Sequence, residues 1–263
     1  MHLPSFNVEK RPEVLHEFIR QNPLGILTTA IRSDTYQFLQ SSHIPWIIDT
    51  KSEETKIELG RLRGHIARQN PQAKAIIDSL AASTVLSSTS SYLLDDVLVL
   101  FNGPVHHYVT PKFYQQTKPD TGKVVPTWDY EAVEVYGKAK VYFDTKSASF
   151  GAFLTTQLHD LSEHMETSVM GYGKQNSVPP WKVSDAPERY IELLMKNIIG
   201  IEIEITSMAG RYKWSQEKPL GDRTGVIQGF KNMNKADSAQ LAEKVAERAA
   251  IFDAEKVIRK QGL

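Results

Sequence analysis

The stretch Gly64-His65-Ile66-Ala67-Arg68-Gln69-Asn70-Pro71 carries residue types suited to holding an anion. A strand-like run ends there and Asn70-Pro71 opens a helix, proline being tolerated at the first helical position. The free backbone N–H groups of a helix start, joined by the Arg68 guanidinium, make a cradle for a phosphate. The same residues also describe an ordinary strand-to-helix turn with a solvated arginine, and the segment alone does not choose. Ser41-Ser42-His43 poses a similar question: a polar triplet in an otherwise apolar strand faces either water or a polar ligand laid along it. Val125-Pro126-Thr127-Trp128-Asp129-Tyr130 and Tyr212-Lys213-Trp214-Ser215-Gln216 set aromatics beside hydrogen-bonding groups. That pattern serves a ring-shaped cofactor, a subunit interface or a plain core.

Other chemistries lose their footing in the same sequence. There is no cysteine among the 263 residues, which removes disulfides, iron–sulfur clusters and thiolate catalysis. No Gly-x-Gly-x-x-Gly follows a strand, and P-loop, His-Glu-x-x-His and Gly-x-Ser-x-Gly motifs are lacking. His106 and His107 point to opposite faces of a strand, while His159 and His164 are five apart on a helix, so no metal site is expected. The formal net charge is zero, which deprives the chain of long-range attraction to phosphate backbones. The opening Met1-His2-Leu3-Pro4-Ser5-Phe6 lacks the apolar centre of a secretory signal, and no run nears the roughly 18 apolar residues that span a bilayer. A soluble, cytoplasmic protein without a membrane partner is expected.

These residues need elements to position them. A composition of 41% hydrophobic and 24% charged residues fits an ordinary globular chain, so a buried core is expected. Apolar Val14, Leu15, Phe18 and Ile19 predict a helix over 11–22, ended by Asn22-Pro23. Residues 24–31 and 36–48 read as a hairpin, 57–67 as a strand and 72–80 as a short helix, followed by a Ser/Thr-rich surface loop over 83–91. Strands follow at 97–101 and 105–110. Between Val133 and Phe143 apolar and polar residues alternate cleanly, the mark of a half-buried antiparallel strand. Helices are expected over 150–165 and 187–197, and the last long strand alternates over 201–206, followed by Gly210 to Trp214. Beyond Gln216 the chain turns polar before a helix over 238–258, whose narrow stripe of Leu241, Val245 and Phe252 suits a surface or a partner subunit. Short antiparallel strands with helical decoration argue for a small barrel.

Taken in order, the motifs make a pattern. Asn22-Pro23-Leu24-Gly25-Ile26-Leu27-Thr28-Thr29, Ser42-His43-Ile44-Pro45 and Gly64 through Gln72 come first. Val97-Leu98-Val99-Leu100-Phe101-Asn102-Gly103-Pro104, Tyr108-Val109-Thr110-Pro111, Val125 through Tyr130, Gly200-Ile201-Glu202-Ile203 and Lys213-Trp214-Ser215-Gln216 follow. Together they resemble the PaiB-like family of FMN-binding negative transcriptional regulators, within the FMN-binding split-barrel superfamily. The resemblance covers most of residues 1–230 and implies an α+β fold. It would be a split antiparallel β-barrel of the pyridoxamine-phosphate-oxidase type with helices at its ends over 1–217, and a C-terminal helical arm over 218–263. It also implies a homodimer binding FMN at the subunit boundary. Carried over by position, Ser41, Ser42 and His43 line the flavin, and His65, Arg68 and Asn70 hold its ribityl phosphate. Trp128, Lys213, Trp214 and Gln216 approach the cofactor or support the interface. The chain departs from the family where Ala73 replaces a tryptophan and Glu217 an asparagine.

Three functions compete on this footing. A flavin-dependent oxidoreductase acting on a small molecule would take its redox chemistry from the cofactor. A regulatory protein would use the flavin as sensor or structural ligand, although the sequence has neither a helix-turn-helix nor a basic stripe for direct DNA binding. Haem binding or degradation is a third reading, with His43, His65, His106 or His107 as ligands.

Overall fold

The computed structural model describes residues 1–50, 59–84, 91–174 and 178–260. Its elements run β1 (Val8–Glu9), α1 (Pro12–Gln21), β2 (Leu24–Ala30), β3 (Leu39–Pro45), β4 (Ile47–Asp49), β5 (Arg61–Ala67), α2 (Pro71–Thr84) and β6 (Val97–Asn102). After them come β7 (His107–Val109), α3 (Thr117–Thr121), β8 (Thr127–Tyr142), α4 (Ala148–His164), α5 (Glu188–Met195), β9 (Ile198–Lys213), α6 (Leu220–Lys231) and α7 (Ser238–Lys260). The chain forms two compact units: unit 1 holds residues 1–11, 102–133 and 209–263, and unit 2 holds 12–101 and 134–208. The fold is α+β, a split antiparallel barrel as expected. No helix among the described residues is long and apolar enough to cross a membrane.

Unit 2 carries the sheet order β3-β2-β6-β8-β9-β5-β4, which leaves β3 and β4 at the ends of that path. The β2–β3 hairpin pairs Leu24 with Pro45 and Ala30 with Leu39. Residues 36–48 are not one strand. Pro45 has no N–H for a ladder, and Trp46 turns inward instead, its N–H donating to the Pro23 carbonyl at 2.9 Å. The indole is 1% exposed and fills the space that a side chain at Gly64 would need, a Cβ there lying 2.8 Å from Trp46 Cε3. From Val133 to Val141 the expected apolar face is buried, through Val133, Val135, Ala139 and Val141, but Glu134 on the opposite face is buried as well, so the alternation shows only from Val135 onward. The Ser83–Ser91 loop and the start of the strand expected at 57 fall largely outside the described residues.

In unit 1, β1 pairs with the end of β9, Val8 opposite Arg211, and β7 pairs with the start of β8, Tyr108 opposite Trp128. The last strand is longer than predicted, running unbroken from Ile198 to Lys213. Helix α6 was hidden by its glycines. Gly221, Gly225 and Gly229 recur every fourth residue and so share a face, on which the 111–116 segment lies. A Cβ at Gly225 would sit 1.9 Å from the Phe113 carbonyl oxygen, and one at Gly229 would sit 2.4 Å from Phe113 Cδ1. Backbone cannot yield as a flexible side chain can, so Gly225→Ala is expected to destabilise the protein by about 3 kcal/mol, read as a lower urea midpoint. An unchanged midpoint would mean that α6 can move away from this turn at no cost.

Helix α7 docks within unit 1 through Leu241, Ala242 and Val245, all buried, and it packs along α6. Its polar side is also anchored: Lys244 Nζ lies 3.0 Å from Glu131 Oε1, and the Arg248 guanidinium sits 3.7 Å from the centre of the Tyr212 ring.

Candidate functional site

The predicted residues fall into two groups, one in each unit. In unit 2, strand alternation divides the serine–histidine triplet. Ser41 and His43 lie on the exposed face of β3, where Ser41 Oγ is 2.8 Å from Thr28 Oγ1. Ser42 points the other way and accepts a hydrogen bond from Asn70 Nδ2 at 3.0 Å. Asn70 is in turn the cap of α2: its Oδ1 accepts the Gln72 N–H at 2.8 Å, and its carbonyl accepts that of Lys74 at 3.0 Å. The Gln72 side chain ties the same corner down, donating to the carbonyls of Leu27 and Gln40 and to Thr29 Oγ1. Ala73, one residue on, is fully buried, leaving no room for a tryptophan.

His65 and Arg68 face different surroundings. The His65 Nδ1 atom is buried without a hydrogen-bond partner, and burial holds the imidazole below its ordinary pKa. It is the neutral ring that sits there. Arg68 reaches across to three carbonyls, with Nε 3.1 Å from the oxygen of Lys196 and Nη2 2.6 Å from that of Phe143 and 3.4 Å from that of Ile198. It borders a cleft of 610 Å³ walled by residues 140–150, and Ser42, His65 and Asn70 do not line that cleft. Asn70 and Ser42 are thus brought together, whereas Arg68 is held apart from them.

The unit 1 group divides into an open part and a sealed part. Trp128 is 48% exposed, its Nε1–H donating to His106 Nδ1 at 3.1 Å, and Tyr108 meets its ring edge-on at 6.3 Å. The Lys213 ammonium bonds the Thr127 hydroxyl and the Trp128 carbonyl oxygen. Trp214 is 0% exposed, and its Nε1–H donates to Glu131 Oε2 at 3.2 Å. Gln216 spends both ends of its amide on the chain: Oε1 accepts the Trp214 N–H at 2.7 Å, and Nε2 donates to the carbonyls of Phe6 and Tyr212. These two residues brace the 214–216 corner, where Ser215 takes a φ of 56°.

That corner contains a buried titratable group that the motifs alone do not single out. Asp129 is 0% exposed, with both carboxyl oxygens 3.0 Å from Ser215 Oγ and one 3.8 Å from Lys213 Nζ. Burial pushes its pKa up to about 7 against the pull of Lys213 and Ser215, and burial likewise pulls Lys213 below the usual lysine value. Both shifts say that removing these charges from water costs more than pairing them at this distance returns. Tyr114, whose hydroxyl is buried without a hydrogen-bond partner, is held protonated by burial and by the charges of Asp129, Glu217 and Asp222. A signal for Asp129 was present: the alternation of Val133 and Val135 on β8, continued backwards, puts Glu131 and Asp129 on the buried face. Among the described residues, no three histidine, aspartate or glutamate side chains converge as a metal site would require.

Comparison with known proteins bears on these residues as a set. The family described as "Putative FMN-binding domain" matches residues 1–207. An uncharacterised protein of Aspergillus fumigatus is 53% identical over 259 residues, covering 96% of this chain and 99% of that protein. The Bacillus subtilis "Protease synthase and sporulation protein PAI 2" is 25% identical over 249 residues, covering 94% of this chain and 98% of its own. Among solved structures, the flavocytochrome Anf3 from Azotobacter vinelandii superimposes with a TM-score of 0.44 at 9% identity, over 81% of this chain and 72% of that one. With the family matched across residues 1–207 and the Bacillus relative aligned nearly end to end, this chain belongs to the PaiB-like family of FMN-binding-domain proteins.

Proposed function

We propose that this protein binds FMN and works as a homodimer. The observation that carries the reading is the family match across residues 1–207, into which the motifs at Ser41–His43, Gly64–Gln72 and Trp128 fall. Unit 2 has what such a ligand needs: exposed Ser41 and His43 on β3, a buried His65 nitrogen awaiting a partner, and a guanidinium at Arg68 without a carboxylate among the described residues. In this reading Ser41, Ser42 and His43 line the flavin, and His65, Arg68 and Asn70, from the strand-to-helix turn, hold its phosphate. Trp128 is the aromatic of the unit 1 set with open surface to offer a flat ring, Lys213 orders the backbone beside it, and Trp214 and Gln216 act as its support. When bound, FMN supplies hydride and electron transfer, while the protein supplies orientation and electrostatics.

FMN titration followed by flavin fluorescence tests the reading. Saturable binding is expected, and Arg68→Ala should weaken it about tenfold to a hundredfold, the worth of one or two charge-assisted hydrogen bonds. A wild-type protein that leaves FMN fluorescence unquenched at every concentration would end the proposal. A regulatory role, as the family resemblance implies, would run through a ligand or protein partner, since the chain's formal charge is zero. Retention on DNA that weakens with salt would reverse that view.

A further inference from the structure

The cleft that Arg68 borders has features the flavin reading does not use. Arg68 is a half-buried cation fixed from behind: its Nε and Nη2 are spent on the carbonyls of Lys196, Phe143 and Ile198, leaving Nη1 without a partner among the described residues. Among the described residues it makes no ion pair. Carbonyl dipoles orient the guanidinium but do not neutralise it, so its charge remains available to an anion.

A second cation lies in the wall. Lys140 makes no close ion pair among the described residues, although the Glu202 carboxylate acts on it at longer range; its ammonium hydrogen-bonds the Tyr142 side chain and lies 5.0 Å from the centre of that ring and 5.9 Å from that of Tyr92. Aromatic faces hold an ammonium in place while leaving its full charge. Tyr142 is itself fixed by stacking on Phe153 at 4.0 Å.

The third contributor is the start of α4, a helix of 17 residues with no acidic side chain in its first turn. Ser147, at the cap position, does not cap it; the Ser147 hydroxyl pairs with that of Ser149 at 2.7 Å, and both residues line the cleft. Among the described residues the one acid in the lining is Asp144, whose Oδ1 accepts the Lys146 N–H at 3.0 Å. Two cations, one carboxylate and about half a positive charge from the helix end leave the cleft net positive.

We propose that this cleft is a phosphate-ester site, in which Arg68, Lys140 and the first turn of α4 together hold the phosphate of a small molecule. A volume of 610 Å³ accommodates such a ligand. The proposal depends on the flavin reading only for one source of the phosphate. The ester is either FMN itself, whose phosphate then lies here and not at the capped start of α2, or a separate phosphorylated compound.

Inorganic phosphate is the probe, titrated calorimetrically into the full-length protein at constant ionic strength set with sodium chloride. Saturable one-to-one binding is expected, about tenfold weaker in Lys140→Gln, whose circular dichroism should match wild type. Arg68→Ala serves as the second variant, with the same loss expected. Phosphate that displaces FMN but not riboflavin would identify the flavin's own phosphate as occupant, and phosphate that displaces neither would identify a separate ester. Phosphate binding by a protein that ignores FMN would retire the flavin reading and keep the site. Absence of saturable phosphate binding, or equal affinity in wild type and both variants, would overturn the proposal.

Discussion

Raising the pH from about 4 to about 7 is expected to cost the folded protein on the order of 4 kcal/mol through Asp129. In the native state this carboxyl keeps its proton up to about pH 7, whereas in the unfolded chain it releases it near pH 4. Between those values the folded form holds the extra proton, so stability falls as pH rises and the loss is complete above about pH 7. His65 works in the opposite sense. Its folded pKa is depressed by burial, so below about pH 6.5 the unfolded chain takes up a proton first and stability drops on the acid side. The comparison that isolates Asp129 is therefore wild type against Asp129→Asn, which keeps an oxygen for Ser215 and abolishes the titration. Urea unfolding at pH 5 and pH 8 should show a fall in wild type that the variant lacks. Parallel profiles would mean that the carboxyl is already ionised at pH 5.

The largest effect of a single truncation is expected at Trp214. Trp214→Ala should lower stability by about 3–5 kcal/mol, because it empties a fully buried indole volume in a corner that cannot collapse freely. The corner is stiff for identifiable reasons: Gln216 clamps the Trp214 N–H, Ser215 is held at positive φ, and its hydroxyl is engaged by Asp129. Loss of the indole N–H also leaves Glu131, 3% exposed, with one donor fewer. Trp214→Phe should fall between the two, keeping most of the packing and forfeiting the hydrogen bond. Chemical denaturation followed by far-ultraviolet circular dichroism measures both variants, and a wild-type midpoint for Trp214→Ala would show that the ring is not a core element.

How much of this was legible depended on how far a residue's partners lie along the chain. The apolar face of Val135, Ala139 and Val141 and the helical stripe of Leu15, Phe18 and Ile19 report local periodicity, and the structure buries both. The fold class and the family were likewise readable, being carried by many short motifs in fixed order. Arg68 stands out in the sequence as a candidate cation, but the carbonyls it binds do not, since they stand 75, 128 and 130 positions away and no spacing encodes them. The tie of Gln216 to the Phe6 carbonyl spans 210 positions and is equally hidden. Helix α6 escaped for a different reason: glycine is a poor helix former, and only the packed turn beneath it explains why three are tolerated. Asp129 carries a local signal of the same kind, since the face of Val133 and Val135 continued back along β8 reaches it.

The way the two units share the chain also sets an order of events during synthesis. Unit 2 is complete once residue 208 has been made, but unit 1 needs its final segment, 209–263, and strand β1 must wait for Arg211 before it can pair. Unit 1 therefore becomes able to close only after all of unit 2 has been translated. Joining ends so far apart is entropically expensive and slow compared with forming a hairpin such as β2–β3. The nascent protein passes through an interval in which the residues of the Trp214 corner have been translated but the helices that complete their unit have not. Exposed apolar surface in that interval is where a chaperone would act on this protein.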